Sequence, residues 1–143
     1  MMRYAYPYNL QPEPEGGYTI TFPDVPGAIS CADNAIEAAR HAEDALVSIL
    51  SVIVERREPL PAPSAARGRP VVTLHVIDAA RLALHETMLA ARIDDRELAN
   101  RMAKDEAEIR CLRDLLRECR IEDVEAALLA LGKRLEITIA QAA

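Results

Sequence analysis

Tryptophan is absent from this chain, phenylalanine occurs once, and the four tyrosines all lie before residue 19. The aromatic complement ends at Phe22, so everything after it is packed from Ala, Leu, Ile and Val. A basic excess is missing too. Residues 1–70 hold six basic and nine acidic side chains, residues 71–143 hold eleven and fourteen, and each half therefore carries −3. That balance argues against nucleic-acid binding by bulk charge, and an acidic surface favours a basic partner. No apolar run approaches the roughly 20 residues a bilayer crossing needs. The start, MMRYAYPYNL, lacks the apolar core and small-residue cleavage site of a signal peptide. The expected location is the cytoplasm, with no membrane partner. Cys31, Cys111 and Cys119 are odd in number and have no C-x-x-C spacing, so neither a disulfide framework nor a zinc site is indicated, and small buried thiols are expected. No glycine-rich phosphate cradle is present either.

What is present begins with alternation. Tyr4, Tyr6, Tyr8 and Leu10 share one face of an extended segment, with Ala5, Pro7 and Asn9 on the other. Pro7 cannot donate a ladder hydrogen bond, which places it near the strand start or on an edge. QPEPEGG reads as a turn. Tyr18, Ile20 and Phe22 then alternate with Thr19 and Thr21, and AISC forms a short third strand. The result is an antiparallel meander with one aromatic face. Asn34 and Glu37 have capping-box spacing and open a helix whose periodic apolar positions are Ile36, Ala39, Leu46, Ile49, Leu50, Ile53 and Val54. The first half of that helix is mostly Ala. Such a face lies close to a sheet but fills little space, so the sheet supplies the bulk as aromatic rings. EPLPAPSAARGRP, residues 58–70, is a semi-extended connector, and VVTLHV a short buried strand that completes a sheet.

From Asp78 the pattern is helical. DAARLALHETMLAAR puts Ala79, Leu82, Met88 and Leu89 near one face, with Asp78 as its cap. Capping-box spacing recurs at Asp94/Glu97 and Asp105/Glu108, and EDVEAALLAL ends at Gly132, a natural C′ residue. Helices joined by very short turns around Ala103 have helix-turn-helix proportions. The tail KRLEITIA alternates Leu135, Ile137 and Ile139, which predicts a strand. The fold class is α+β, divided into a unit at 1–76, connector included, and a helical unit at 77–143.

YPYNLQPEPEGGYTITFPDVPGAIS followed by DNAIEAARHAEDAL resembles the HicB family of type II antitoxins, through Gly16, Gly17, Tyr18, Phe22, Pro23, Asp24, Pro26 and Gly27. ELANRMA and LGKRLEITI resemble the Xre-like helix-turn-helix attached to one branch of that family. The resemblance implies an N-terminal partial ribonuclease-H-like fold without its catalytic constellation, which covers a small basic RNA-cleaving toxin, HicA. It also implies a C-terminal domain that dimerises and binds the operator of its own operon. Carried onto this chain, the DNA-facing candidates are Arg101, Lys104, Glu106, Ala107, Arg110 and Arg113. Here the chain departs from the pattern. Ala103 stands where Gly commonly turns the chain, Lys104 where a buried apolar residue sits, and Asp105, Glu106 and Glu108 open the recognition helix. Those acids suit a helix N-terminus but oppose phosphates.

The candidate toxin-binding surface is Glu13, Glu15 and Asp24 in turns with Arg40, His41, Glu43 and Asp44 on the helix. Acidic rims there would steer a basic partner. Leu135, Ile137 and Ile139 are the dimerisation candidates, because an unpaired apolar strand edge seeks a partner. The acids lie in turns and on helix faces rather than converging on strands, and the histidines have no nucleophile at a motif spacing, so no catalytic residue, metal ligand or cofactor is assigned. His41 is expected on the polar helix face and His75 within the last strand of the first unit. Two rival readings are a stand-alone transcriptional regulator with a sensing N-terminal domain and a residual nuclease.

Overall fold

The structure, a computed structural model, describes residues 4–141. Residues 4–12 form one extended stretch broken at Tyr8. Strand β1 (Ala5–Pro7) pairs antiparallel with β5 (Val71–Thr73), while β2 (Asn9–Pro12) joins β3 (Tyr18–Thr21) and β4 (Ile29–Ala32) in an antiparallel sheet of order β2-β3-β4. The break is where Tyr8 turns from one sheet to the other, its N–H donating to Pro70 O at 3.0 Å. Pro7 ends β1 beside that break, where its missing donor interrupts no ladder. The turn between β2 and β3 needs Gly17: its φ is +77°, and a Cβ there would lie 2.8 Å from the carbonyl oxygen of Ala32.

Tyr4, Tyr6, Tyr8, Ile20 and Phe22 are all buried, as the alternation predicts, while Leu10 and Tyr18, at the outer ends of the same faces, are half-buried. Tyr8 and Phe22 are in ring contact at 5.7 Å. Tyr6 donates its hydroxyl to Pro61 O at 2.8 Å and Tyr4 to Glu86 Oε2 at 2.6 Å, so each ring fills the core while its polar tip ties down another segment. Burial pushes the Tyr6 phenol up to about 12. The Tyr4 phenol is raised further, by burial first and then by its bond to Glu86.

Helix α1 (Ala35–Glu55) starts at Asn34, whose side chain accepts from Glu37 N at 2.9 Å. The return bond of the capping box goes one residue further back, from Asp33 N to Glu37 Oε2. The buried stripe is Ala38, Ala42, Leu46, Leu50 and Val54, four residues apart throughout. Ile36 and Ala39, expected inside, are exposed, Ile36 by 89%. Ile36 precedes Ala38 by two residues, roughly 200° around the helix, and so points away from the sheet. The alanines bring the N-terminal half of α1 against β3 and β4, and the tyrosines fill the remaining volume.

The connector is pinned rather than loose. Asp24 accepts from Ser64 N (2.9 Å) and Ser64 Oγ (2.8 Å), and His85 Nε2 donates to Glu58 O at 2.8 Å. Strand β5 stops at Thr73, and His75 becomes the N-cap of α2 (Val76–Ala91) instead of a strand residue. Asp78 therefore lies inside the first turn of α2 and is not its cap. Helix α2 is buried around most of its circumference because it serves two cores. Leu82 joins the aromatic cluster, whereas Ala80, Leu84 and Met88 join a second, aliphatic cluster.

That second cluster is closed by α3 (Asp95–Met102), α4 (Glu106–Arg113) and α5 (Ile121–Ala130). Asp94 caps α3, accepting from Glu97 N at 2.8 Å. Ala103 turns the chain in the left-handed region (φ 53°), and Lys104 N closes on Ala99 O at 2.9 Å. Asp105 does not cap with its side chain; its backbone carbonyl accepts from Glu108 N instead. Gly132 (φ +75°) ends α5 as expected, with Lys133 N donating to Leu128 O.

The predicted C-terminal strand is not formed. Residues 133–141 run without regular secondary structure, Leu135 packs on the aliphatic cluster, and Ile137 and Ile139 are 64% and 91% exposed. The surrounding unit is all helix and offers no ladder for the tail to join. The cysteines also differ from expectation: Cys31 is exposed, and Cys111 and Cys119 are half-buried.

Candidate functional site

The edge of β4 and the adjoining side of α1 form a shallow cleft of about 550 Å³. Packing sets its shape. The small residues of α1 let the helix settle low on the sheet, leaving Ile29, Ser30 and Cys31 of β4 facing His41, Asp44 and Ala45 across the groove. His41 is half-buried, and its Nδ1 lies 2.7 Å from the carbonyl oxygen of Cys31. A carbonyl only accepts, so Nδ1 carries the proton, and the bond fixes the ring against the strand. Ile29 on this edge is 64% exposed. An exposed strand edge with one apolar side chain and a charged rim is a surface on which another chain can pair.

Of the residues expected to bind a toxin, the structure brings His41 and Asp44 together in this cleft, with the exposed Arg40 beside them on α1. Glu13 and Glu15 stand exposed at the β2–β3 turn, where Glu13 accepts from Thr19 Oγ1 at 2.6 Å. The other two have partners of their own. Asp24 holds the connector through Ser64, and Glu43 meets His75 Nε2 at 2.9 Å.

A second concavity of about 650 Å³ runs between the C-terminal end of α1 and α4. Glu106, Ala107 and Arg110 line it from α4 and are exposed. Arg101 and Lys104 are also exposed, each drawn toward an acid one turn away, Glu97 at 3.0 Å and Glu108 at 3.9 Å. Arg113, expected to face DNA, does not. It is 6% exposed and grips Asp95 through Nε at 2.8 Å and Nη2 at 2.7 Å. Arg57 approaches the same carboxylate at 2.9 Å, and Arg113 Nη1 reaches Val54 O at 3.4 Å. One buried carboxylate thus joins the end of α1 to α3 and α4. The sequence carried a signal for this: Arg113 follows Ile109 by four residues, on the stripe α4 buries, and Asp95 precedes Leu98 by three.

Two further ionisable groups are buried in α2. His85 is 1% exposed, and burial lowers its imidazole below the usual range, opposed by the bond to Glu58. Arg81 is equally buried within α2. Among the described residues no group of three His, Cys, Asp or Glu is placed to hold a metal ion, and no helix is long and apolar enough to cross a membrane.

Both concavities are edged with charged side chains and flank the helix-on-sheet layer. Residues 5–83 match the family described as HicB_like antitoxin of bacterial toxin-antitoxin system. Antitoxin HicB of Escherichia coli K12 is 33% identical over 135 residues, 94% of this chain and 98% of that one. Antitoxin HicB 2 of Photorhabdus laumondii is 35% identical over 132 residues, 92% and 94% of the two chains. The chain belongs to the HicB antitoxin family. The motif that suggested it has structural reasons: Gly17 permits close approach to Ala32, Phe22 fills the core, and Asp24 anchors the connector.

Proposed function

We propose that this protein is a non-enzymatic cytoplasmic antitoxin that neutralises a small RNA-cleaving toxin of the HicA type by covering its active surface. The observation that carries the reading is similarity along nearly the whole length to a protein named Antitoxin HicB, 94% of one chain on 98% of the other. The cleft between β4 and α1 is the toxin-facing surface, with His41 and Asp44 within it and Arg40, Glu13 and Glu15 around it. Asp24 and Glu43 support that surface by holding the connector and the start of α2. The N-terminal unit, 1–76, does this work on a partial ribonuclease-H-like frame.

The unit at 77–143 is the regulatory half. Helices α3 and α4 with the tight turn at Ala103 act as a helix-turn-helix, which reads the operator of the protein's own operon through Arg101, Lys104 and Arg110. Glu106 and Ala107 lie at the start of the recognition helix and set its preference. A dimer presents two such units to two half-sites. Leu135 anchors the tail, while Ile137 and Ile139 supply the apolar contact with the second copy.

Co-expression tests the toxin half. Growth arrested by a HicA-type toxin is restored by the full chain and less well by Asp44→Lys with Ile29→Asp; arrest that persists with abundant soluble antitoxin contradicts the reading. Operator binding is tested by gel shift, where affinity falls steeply with salt and Arg110→Ala weakens it.

A further inference from the structure

Arg81 lies in the middle of α2 and is 2% exposed. Its Nε and Nη2 are shielded and meet no hydrogen-bond acceptor. The other buried ionisable groups are treated differently: Asp95 and Arg113 clasp each other, and the neutral His85 donates to a carbonyl. Asp78, one turn back, acts on Arg81 through space. Two guanidinium nitrogens buried without acceptors are costly, and such groups in a folded protein call for a reason.

The surroundings supply one. Arg81 is part of the wall of a cleft of about 390 Å³ between α2 and the turn after α4. Ile77, Leu115 and Leu116 give the cleft an apolar lining, and Asp78, Arg117 and Glu118 add charge. We propose that this cleft is a binding site for a monocarboxylate, gripped by the planar fork of Arg81 as the side chain turns outward.

Three features select that ligand. The fork of an arginine matches the two oxygens of a carboxylate, and turning it outward breaks no hydrogen bond made by Nε or Nη2, because there is none. Arg117 is paired with Asp114 at 3.4 Å, which leaves Arg81 as the cation open to a ligand, and Asp78 and Glu118 repel a dianion such as phosphate more strongly than a monoanion. Burial raises the Asp78 carboxyl despite the pull of Arg81. The leucines and Ile77 suit a short aliphatic chain.

The experiment is an NMR titration of the ¹⁵N-labelled full chain that follows the arginine Nε–Hε signals and backbone amides. Sodium butyrate is the free-acid probe, a blocked Leu-Glu dipeptide is the polypeptide-carboxylate probe, and inorganic phosphate is the dianion. Saturable shifts of the Arg81 Nε–Hε signal and of the Ile77, Leu115 and Leu116 amides are expected with butyrate or the dipeptide. The tighter of the two identifies the source of the carboxylate, and phosphate binds at least tenfold more weakly. Arg81→Met abolishes the shifts at Leu115 and Leu116 and, without ligand, melts no lower than the parent, which a purely structural arginine would not allow. Should that variant fold poorly, Leu116→Trp, at a position 69% exposed, narrows the cleft and weakens butyrate tenfold. The proposal is overturned by absence of saturable shifts with both carboxylates, by tighter phosphate binding, or by carboxylate binding unchanged in Arg81→Met or Leu116→Trp.

Discussion

Asp95 is 4% exposed and meets two arginines, Arg113 in a two-pronged grip and Arg57 from the end of α1. Removing one member of a buried pair strands the other without a counter-charge, which typically costs about 3–5 kcal/mol. Asp95→Ala, which leaves Arg113 buried without a counter-charge, is therefore expected to lower unfolding stability by about that amount in urea titration. Arg110→Ala, on the exposed side of the same helix, should stay within about 0.5 kcal/mol of the parent. His85 carries a pH dependence whose sign follows from its environment. The folded protein keeps its ring neutral, with Nε2–H on Glu58 O, and burial lowers its pKa below the ordinary 6.5. As pH falls through 6.5 the unfolded chain takes up a proton that the folded one refuses. Stability is thus full above that value and declines as pH drops toward the folded pKa. The urea midpoint should fall between pH 7.5 and 5.5, and His85→Gln should lose less over the same interval.

Helix α1 shows how far element-level structure can be read from residues. Asn34→Ala removes the acceptor of Glu37 N and is expected to cost about 1 kcal/mol. Leu46→Ala, at a fully buried position opposite the aromatic face, should cost about 2–5 kcal/mol. Both sites were legible: the cap from Asn34 and Glu37 at their spacing, and the stripe from Leu46, Leu50 and Val54. The start of the stripe was not, because in an alanine-rich stretch Ala38, Ala39 and Ala42 carry nearly the same signal, and the lone large residue, Ile36, lies outside. Alternation marks one strand over residues 4–10 and another over 18–22, and AISC reads as a third. The division of the first at Tyr8 does not show, since it depends on where β5 returns, nor does the run of β2 through Gln11 and Pro12, which read as turn. The tail failed for a related reason. Leu135, Ile137 and Ile139 alternate as a strand does, yet a strand needs a neighbour, and alternation cannot show that none is there. At the candidate site, the acidic turn residues and the polar side of α1 can be picked out from the sequence. Their separation into cleft residues (His41, Asp44) and anchors (Asp24, Glu43) required Ser64 and His75, which lie 40 and 32 positions away from their partners.

At the scale of the whole molecule, α2 is the shared wall of two cores, and the Asp95 cluster locks α1 to the α3–α4 pair. The two halves should consequently unfold in one transition, seen as coincident curves by tyrosine fluorescence, which reports the first core, and by helical circular dichroism. Separate transitions would contradict that coupling. If the tail mediates self-association, a chain ending at Lys133 should sediment as a smaller species than the full chain at the same micromolar concentration. The most direct test concerns the toxin. The purified full chain is titrated into an RNA-cleavage assay of the cognate HicA-type toxin. Cleavage is predicted to fall in proportion to added chain and to stop at a fixed ratio, with Asp44→Lys plus Ile29→Asp shifting the curve to higher concentration. Undiminished cleavage in the presence of excess folded chain would contradict the account.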